Sequence, residues 1–177
     1  RFIDYESGVS TSLEAAVRRN IMGGLGLMDE QIVQADHDML GCNGWEISAH
    51  ANSAPDHEDI QGRQYSDADF AKLNASLARR IGTLNCGHTA FPIILGVHSP
   101  QYTPEQLRRF RDENARGITY QGRHYTGYEA TQKQRALETA IRAQKRRCLV
   151  QDAAGDEEKL LLSRVKLGRL REEYARF

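Results

Sequence analysis

Four side chains in the middle of the chain are of the kinds that bind metals or move protons: His50, His57, Cys86 and His88. In an extended segment residues two apart point the same way, so Cys86 and His88 can offer sulfur and imidazole to one point, with Gly87 permitting close approach. His50 and His57 flank a bent loop and can reach that point too. One thiolate and three imidazoles suit a tetrahedral ion, and a structural zinc is the cofactor this set implies. The spacing is not a paired Cys-x-x-Cys pattern, so an alternative stays open in which the histidines bond loop backbone groups and Cys86 is a small buried hydrophobe.

The same residues allow proton transfer. His50 and His57 with Asp56, Glu58 or Asp59 would supply an acid–base pair for phosphodiester cleavage, as a nuclease or toxin-type hydrolytic effector needs. Cys86 with His88 would be a nucleophile and its base, yet no third group stands out to orient the histidine. Acids in such a segment more often bond the backbone N–H groups of the turn. Two basic clusters, Arg108, Arg109 and Arg111, and Lys145, Arg146 and Arg147, fall on predicted helices. As a nucleic-acid footprint they would grip phosphates without reading bases, and a nonspecific nucleic-acid-binding module is a third reading. The plainer account of such runs is a solvated helix face.

At 177 residues the chain is long enough to bury a real core, as one domain or one domain with an appended arm. No run of about 18 apolar residues occurs, so no membrane span is expected. The opening Arg1-Phe2-Ile3-Asp4 carries neither an initiator Met nor a signal peptide, and a processed or truncated chain is expected. The net charge is zero but unevenly spread: residues 1–104 hold 7 basic and 13 acidic side chains, net −6, and residues 105–177 hold 17 and 11, net +6. The basic part would face an acidic partner, or the two parts simply face each other. Cys42, Cys86 and Cys148 are odd in number and far apart, which implies no disulfide framework and suits a reducing compartment.

The elements that must position these residues read as α+β. Thr11-Ser12-Leu13-Glu14 opens a first helix to about Met22, Gly23-Gly24 ends it, and a second runs from Leu27 to Leu40 with Gly41 as its stop, making an N-terminal helical hairpin. His37, between two aspartates, reads as a surface residue. Glu46 to His50 forms a short strand that delivers His50 into an aperiodic loop, Asn52 to Gly62. A third helix, capped by Ser66 or Asp67, runs to Arg80, and Phe91 to Leu95 is a buried strand. Thr103-Pro104-Glu105-Gln106 starts another helix, ended near Arg116-Gly117. Residues 118–125 form a small hairpin turning at Gln121-Gly122. Two long charged helices follow, about Gly127–Leu149 and Asp156–Phe177, with apolar stripes so thin that they need a partner. Residues 1–103 are thus expected to be an α+β core with a small, irregular, loop-rich His/Cys centre, and residues 104–177 a basic helical arm.

Taken together, these motifs resemble the phage minor capsid protein 2 family, tailed-phage head proteins often encoded beside the portal protein. The likeness rests on Asp4-Tyr5-Glu6-Ser7-Gly8, on Ser48-Ala49-His50 through His57, on Gln61-Gly62-Arg63-Gln64-Tyr65-Ser66, on Asn85-Cys86-Gly87-His88, and on Gln134 to Arg146. Ala54, Ile60 and Gly87 depart from related sequences, which often carry Arg, Trp and Arg there. The resemblance implies the C-terminal half of a virion structural protein, placed at the portal vertex or inside the head and in the host cytoplasm during assembly. It also implies portal and major capsid proteins as partners, packaged DNA as a further contact, and an oligomeric state in the particle. Some related head proteins carry toxin domains, which keeps the hydrolytic reading in view.

Overall fold

The structure, a computed structural model, describes residues 2–8, 10–83 and 86–177. Leu84 and Asn85 of the second motif lie outside the described residues. The fold is α+β, and the chain divides into two compact units, Arg1–Arg108 and Arg109–Phe177.

The first unit opens with a small hairpin that periodicity did not signal, β1 (Phe2–Asp4) paired antiparallel with β2 (Ser10–Ser12). Ser12 then caps α1 (Leu13–Met39), its hydroxyl accepting from the Ala15 N–H. The expected helical hairpin is corrected here: α1 is one 27-residue helix that runs straight through Gly23, Gly24 and Gly26. A mid-helix glycine costs only about 1 kcal/mol, and once the flanking turns have nucleated the helix propagates across it. Gly26 also has a packing reason, since a Cβ there would lie 3.2 Å from the Gly82 carbonyl. The helix does stop at Gly41, whose φ of +63° closes a Schellman turn with Cys42 N–H on His37 O and Gly41 N–H on Asp38 O.

Strand β3 (Gly44–Ile47) is the centre of a three-stranded antiparallel sheet, flanked by β4 (Gln64–Ser66) and β5 (Ala90–Ile93). Its register sets Trp45 against Tyr65 on one side and Pro92 on the other. Pro92 is tolerated because β5 is an edge strand. The strand begins and ends earlier than its apolar alternation suggested, because Ser48 leaves the ladder and bonds Thr89 twice, through its N–H and its hydroxyl. Trp45 is stacked between His37 at 4.7 Å and Phe70 at 5.3 Å, which joins the sheet to α1 and to α3 (Asp67–Ser76). His37 is therefore buried rather than exposed, its Nε2 against Asp67 at 2.9 Å and its Nδ1 against Asp38 at 3.2 Å. A single helical turn, α2 (Pro55–Glu58), interrupts the loop after β3 with Pro55 at its first position. Gly62, at φ +67°, turns the chain into β4, and a Cβ on it would collide with Leu107 at 2.4 Å.

Helix α4 (Pro104–Arg116) starts at the expected Thr103–Gln106 box. In the second unit β6 (Ile118–Tyr120) pairs with β7 (Arg123–Tyr125) across Gln121 and Gly122, both at positive φ as a type I′ turn requires. Helix α5 (Gly127–Ala153) has the full capping box of Thr126 and Glu129, and Gly155 closes it in a second Schellman turn. Helix α6 (Glu157–Arg176) folds back on it, so the partner that these thin stripes require is each other. Leu137 and Leu160 are buried, Gln144 donates to the Ser163 carbonyl at 3.2 Å, and Lys133 pairs with Glu173 at 2.7 Å.

Ile47 is fully buried on the central strand of the first unit. Ile47→Ala should cost about 2–5 kcal/mol of stability, read as a lower urea midpoint of the first transition. Val97→Ala, on an exposed loop, should leave the midpoint in place.

Candidate metal centre

The short helix α2 and the segment before β5 bring His57, Cys86 and His88 together. Cys86 Sγ lies 3.3 Å from His57 Nδ1 and 3.4 Å from His88 Nδ1. One donor atom from each lies within 4.8 Å of the other two. His57 and His88 are almost wholly buried, and Cys86 is half-buried.

Hydrogen bonds on the far side of each ring fix which nitrogen is bare. His57 Nε2–H donates to the Arg79 carbonyl at 2.9 Å, because a carbonyl can only accept, and this leaves Nδ1 as a lone pair facing the sulfur. Helix α3 ends at Ser76 rather than Arg80, and Leu77 turns extended, which frees Arg79 to make this contact. Gln61 settles the second ring. Its Oε1 accepts from the His50 backbone N–H at 3.0 Å, so the same oxygen must accept from His88 Nε2–H, also at 3.0 Å. His88 Nδ1 is then bare as well. Second partners of this kind are what orient histidines around metals.

Two lone pairs and a sulfur thus converge with at most one thiol proton among them, and that proton can serve only one nitrogen at a time. A cation in place of the proton would satisfy all three. Zinc, with bonds of about 2.3 Å to sulfur and 2.0 Å to nitrogen, sets tetrahedral S···N separations of roughly 3.5 Å, close to those present.

His50 stands beside this group. Its ring centroid is 4.4 Å from that of His88, and its Nδ1–H donates to the Ala51 carbonyl at 2.8 Å. The bare Nε2 is buried with no hydrogen-bond partner among the described residues and faces Gly87, where a Cβ would come within 2.9 Å of it. The structure brings three of the four predicted donors together and places the fourth adjacent, outside the 4.8 Å set.

Burial pushes the His88 imidazole down to about 4, helped by the charges that His50 and His57 would carry. Burial alone would lift the Asp56 carboxyl, but the Arg79 guanidinium at 2.8 Å and the neighbouring His57 hold it below the usual carboxylate range. Gln61, Ser53 and the Arg79 carbonyl had no assigned role in the sequence. The only available sign was a Gln placed directly before the turn glycine Gly62. A separate groove of about 740 Å³ lies between α1 and α3, lined by Asp29, His37, Trp45, Asp67 and Phe70 among others, and none of the four donors lines it.

Arg108, Arg109 and Arg111 are exposed on α4, where Arg109 approaches Glu113 at 3.9 Å. Lys145, Arg146 and Arg147 are exposed on α5, and three consecutive helical residues fan over about 200° rather than forming one face. Arg147 alone of that run turns to a groove of about 340 Å³, where Lys159 and Lys166 from α6 join it. Sequence runs could not show those two lysines, since they come from the other helix.

The fold and site define a small α+β protein whose first unit is tied together by two buried histidines and a half-buried cysteine. The sequence profile of the phage minor capsid protein 2 family matches residues 1–177, and the chain belongs to that family. It is therefore a structural component of a phage virion, with other virion proteins as its partners. Comparison with curated proteins and with solved structures finds no match. Among the described residues no helix is long and apolar enough to cross a membrane.

Unfolded, the His88 ring takes a proton near 6.5; folded, it does so only near 4, so the unfolded chain binds the extra proton between those values. In chelator-treated protein, stability should drop as pH falls through that window, by up to roughly 3 kcal/mol from His88, and the His88 share should level off below it. Urea midpoints at pH 7 and pH 4.5 check this, and equal midpoints would contradict it.

Proposed function

We propose that this chain is a minor structural subunit of a tailed-phage head, at the portal vertex or the head interior, and that zinc on His57, Cys86 and His88 pins its fold. His50 is the adjacent fourth donor. The observation that carries this is the convergence of two bare imidazole nitrogens on one sulfur, each ring held from behind by a protein acceptor. Burial of His57 and His88 supports a structural part for them rather than the hydrolytic one, since a phosphodiester needs access to its acid and base. A bound ion also supplies what this loop-rich centre lacks in apolar burial.

Purified protein should contain about one zinc per chain, and Cys86→Ser should lose it and melt at a lower temperature. A chelator should lower the melting temperature of the wild type toward that of the variant. Wild-type protein that is free of metal and whose melting temperature ignores added zinc would sink the reading.

The groove of Arg147, Lys159 and Lys166 supports a contact between the helical hairpin of the second unit and packaged DNA, through phosphates alone. Duplex binding should weaken steeply with salt, and replacing the three cations by Ala should flatten the log–log slope by about 2 to 3. Equal slopes for both proteins would remove this part.

A further inference from the structure

Along α1, Ile21, Leu25, Met28, Ile32, Ala35 and Met39 recur at intervals of four, three, four, three and four. That is a 3.5-residue period, the seam of a coiled coil rather than the broader face a helix turns to a core. The face that α1 turns to its own unit is a different one, carrying Gly26, Val33 and His37. The five larger seam residues are between 53 and 77 % exposed, so a contiguous apolar strip lies open on the first unit.

Two further features say what covers it. Gly24 sits in mid-helix on the flank of that seam, with open space where a Cβ would be. A glycine at that place lets another helix approach closely. The charges of α1 are also split, with Arg18 and Arg19 in the first half and Asp29, Glu30, Asp36 and Asp38 in the second, after Glu14 in the first turn. Glu30 is paired with Arg80, and Asp38 with His37 and Gln34. A parallel pair of such helices would lay acidic half beside acidic half. An antiparallel pair does the reverse: with Leu25 opposite Met28 and Ile21 opposite Ile32, Arg18 falls opposite Ala35 and beside Asp36. The two-fold axis then passes between Gly26 and Leu27, close to Gly24.

We infer that the open strip of α1 is the seam of an antiparallel helix pair with the same helix of a second copy, crossing near Gly24. The metal centre plays no part in it. The seam is self-complementary in shape and charge, so a closed dimer results rather than an open chain of subunits.

Sedimentation of the full chain tests this. The wild type should run as a dimer at micromolar concentration, and Met28→Glu with Ile32→Glu should run as a monomer. Because both residues are exposed in the single copy, helical circular dichroism and metal content should be unchanged. Arg18→Asp should weaken the dimer by about tenfold or more, and adding Asp36→Arg should restore it. A monomeric wild type, including one whose strip binds a different protein, overturns the inference. So does a dimer indifferent to Met28→Glu with Ile32→Glu, and so does a charge swap that fails to restore pairing, which would remove the antiparallel arrangement.

Discussion

One carboxamide oxygen joins the two loops on which the centre of this protein is built. Gln61 Oε1 accepts from the backbone N–H of His50 and from the ring of His88, so a single acceptor fixes the path of one loop and the tautomer of the other. Gln61 is itself held in place through its neighbour, since Gly62 N–H bonds the Ile47 carbonyl at 2.7 Å and the Gly62 backbone lies against Leu107. The polar knot therefore hangs from the central strand. Buried polar groups are costly unless every one is satisfied, and here the bonds leave two nitrogens facing one sulfur and a third nitrogen beside them. A cation is the simplest way to settle that remainder.

Much of the fold could be read from the sequence wherever local chemistry decides it. The caps at Ser66 and Thr103 and the turn at Gln121-Gly122 involve residues a few positions apart, and they are where the pattern put them, while the first helix is capped by Ser12, one residue past the Thr11 of the expected box. The errors came where distant parts decide. Gly23-Gly24 looked like a stop because glycine is a poor helix residue, yet nothing there supplies the left-handed turn that ends a helix, as Gly41 does. His37 looked solvated between two acids, but its ring is the surface on which Trp45 stacks. Helix α3 ends early, at Ser76, and the Arg79 carbonyl beyond it accepts from His57; a backbone acceptor leaves no trace in residue type.

The histidines and cysteine themselves were legible because few residue types hold metals, and clustering them between turn residues narrows the choice. Their supports were not. A glutamine, a serine and a carbonyl are ordinary anywhere, and only the folded chain shows that Gln61, Ser53 and Arg79 face the rings. The basic runs illustrate the opposite case. Neighbours in sequence diverge around a helix, whereas Arg147, Lys159 and Lys166 meet across two.

Helix α1 is about 40 Å long at 1.5 Å per residue. Close to its C-terminal end it grips the sheet through His37 and Trp45, and Trp45 is two residues from Ile47, whose carbonyl holds the residue after Gln61. A displacement at that end of the rod is therefore handed to the histidine knot through a short series of buried contacts.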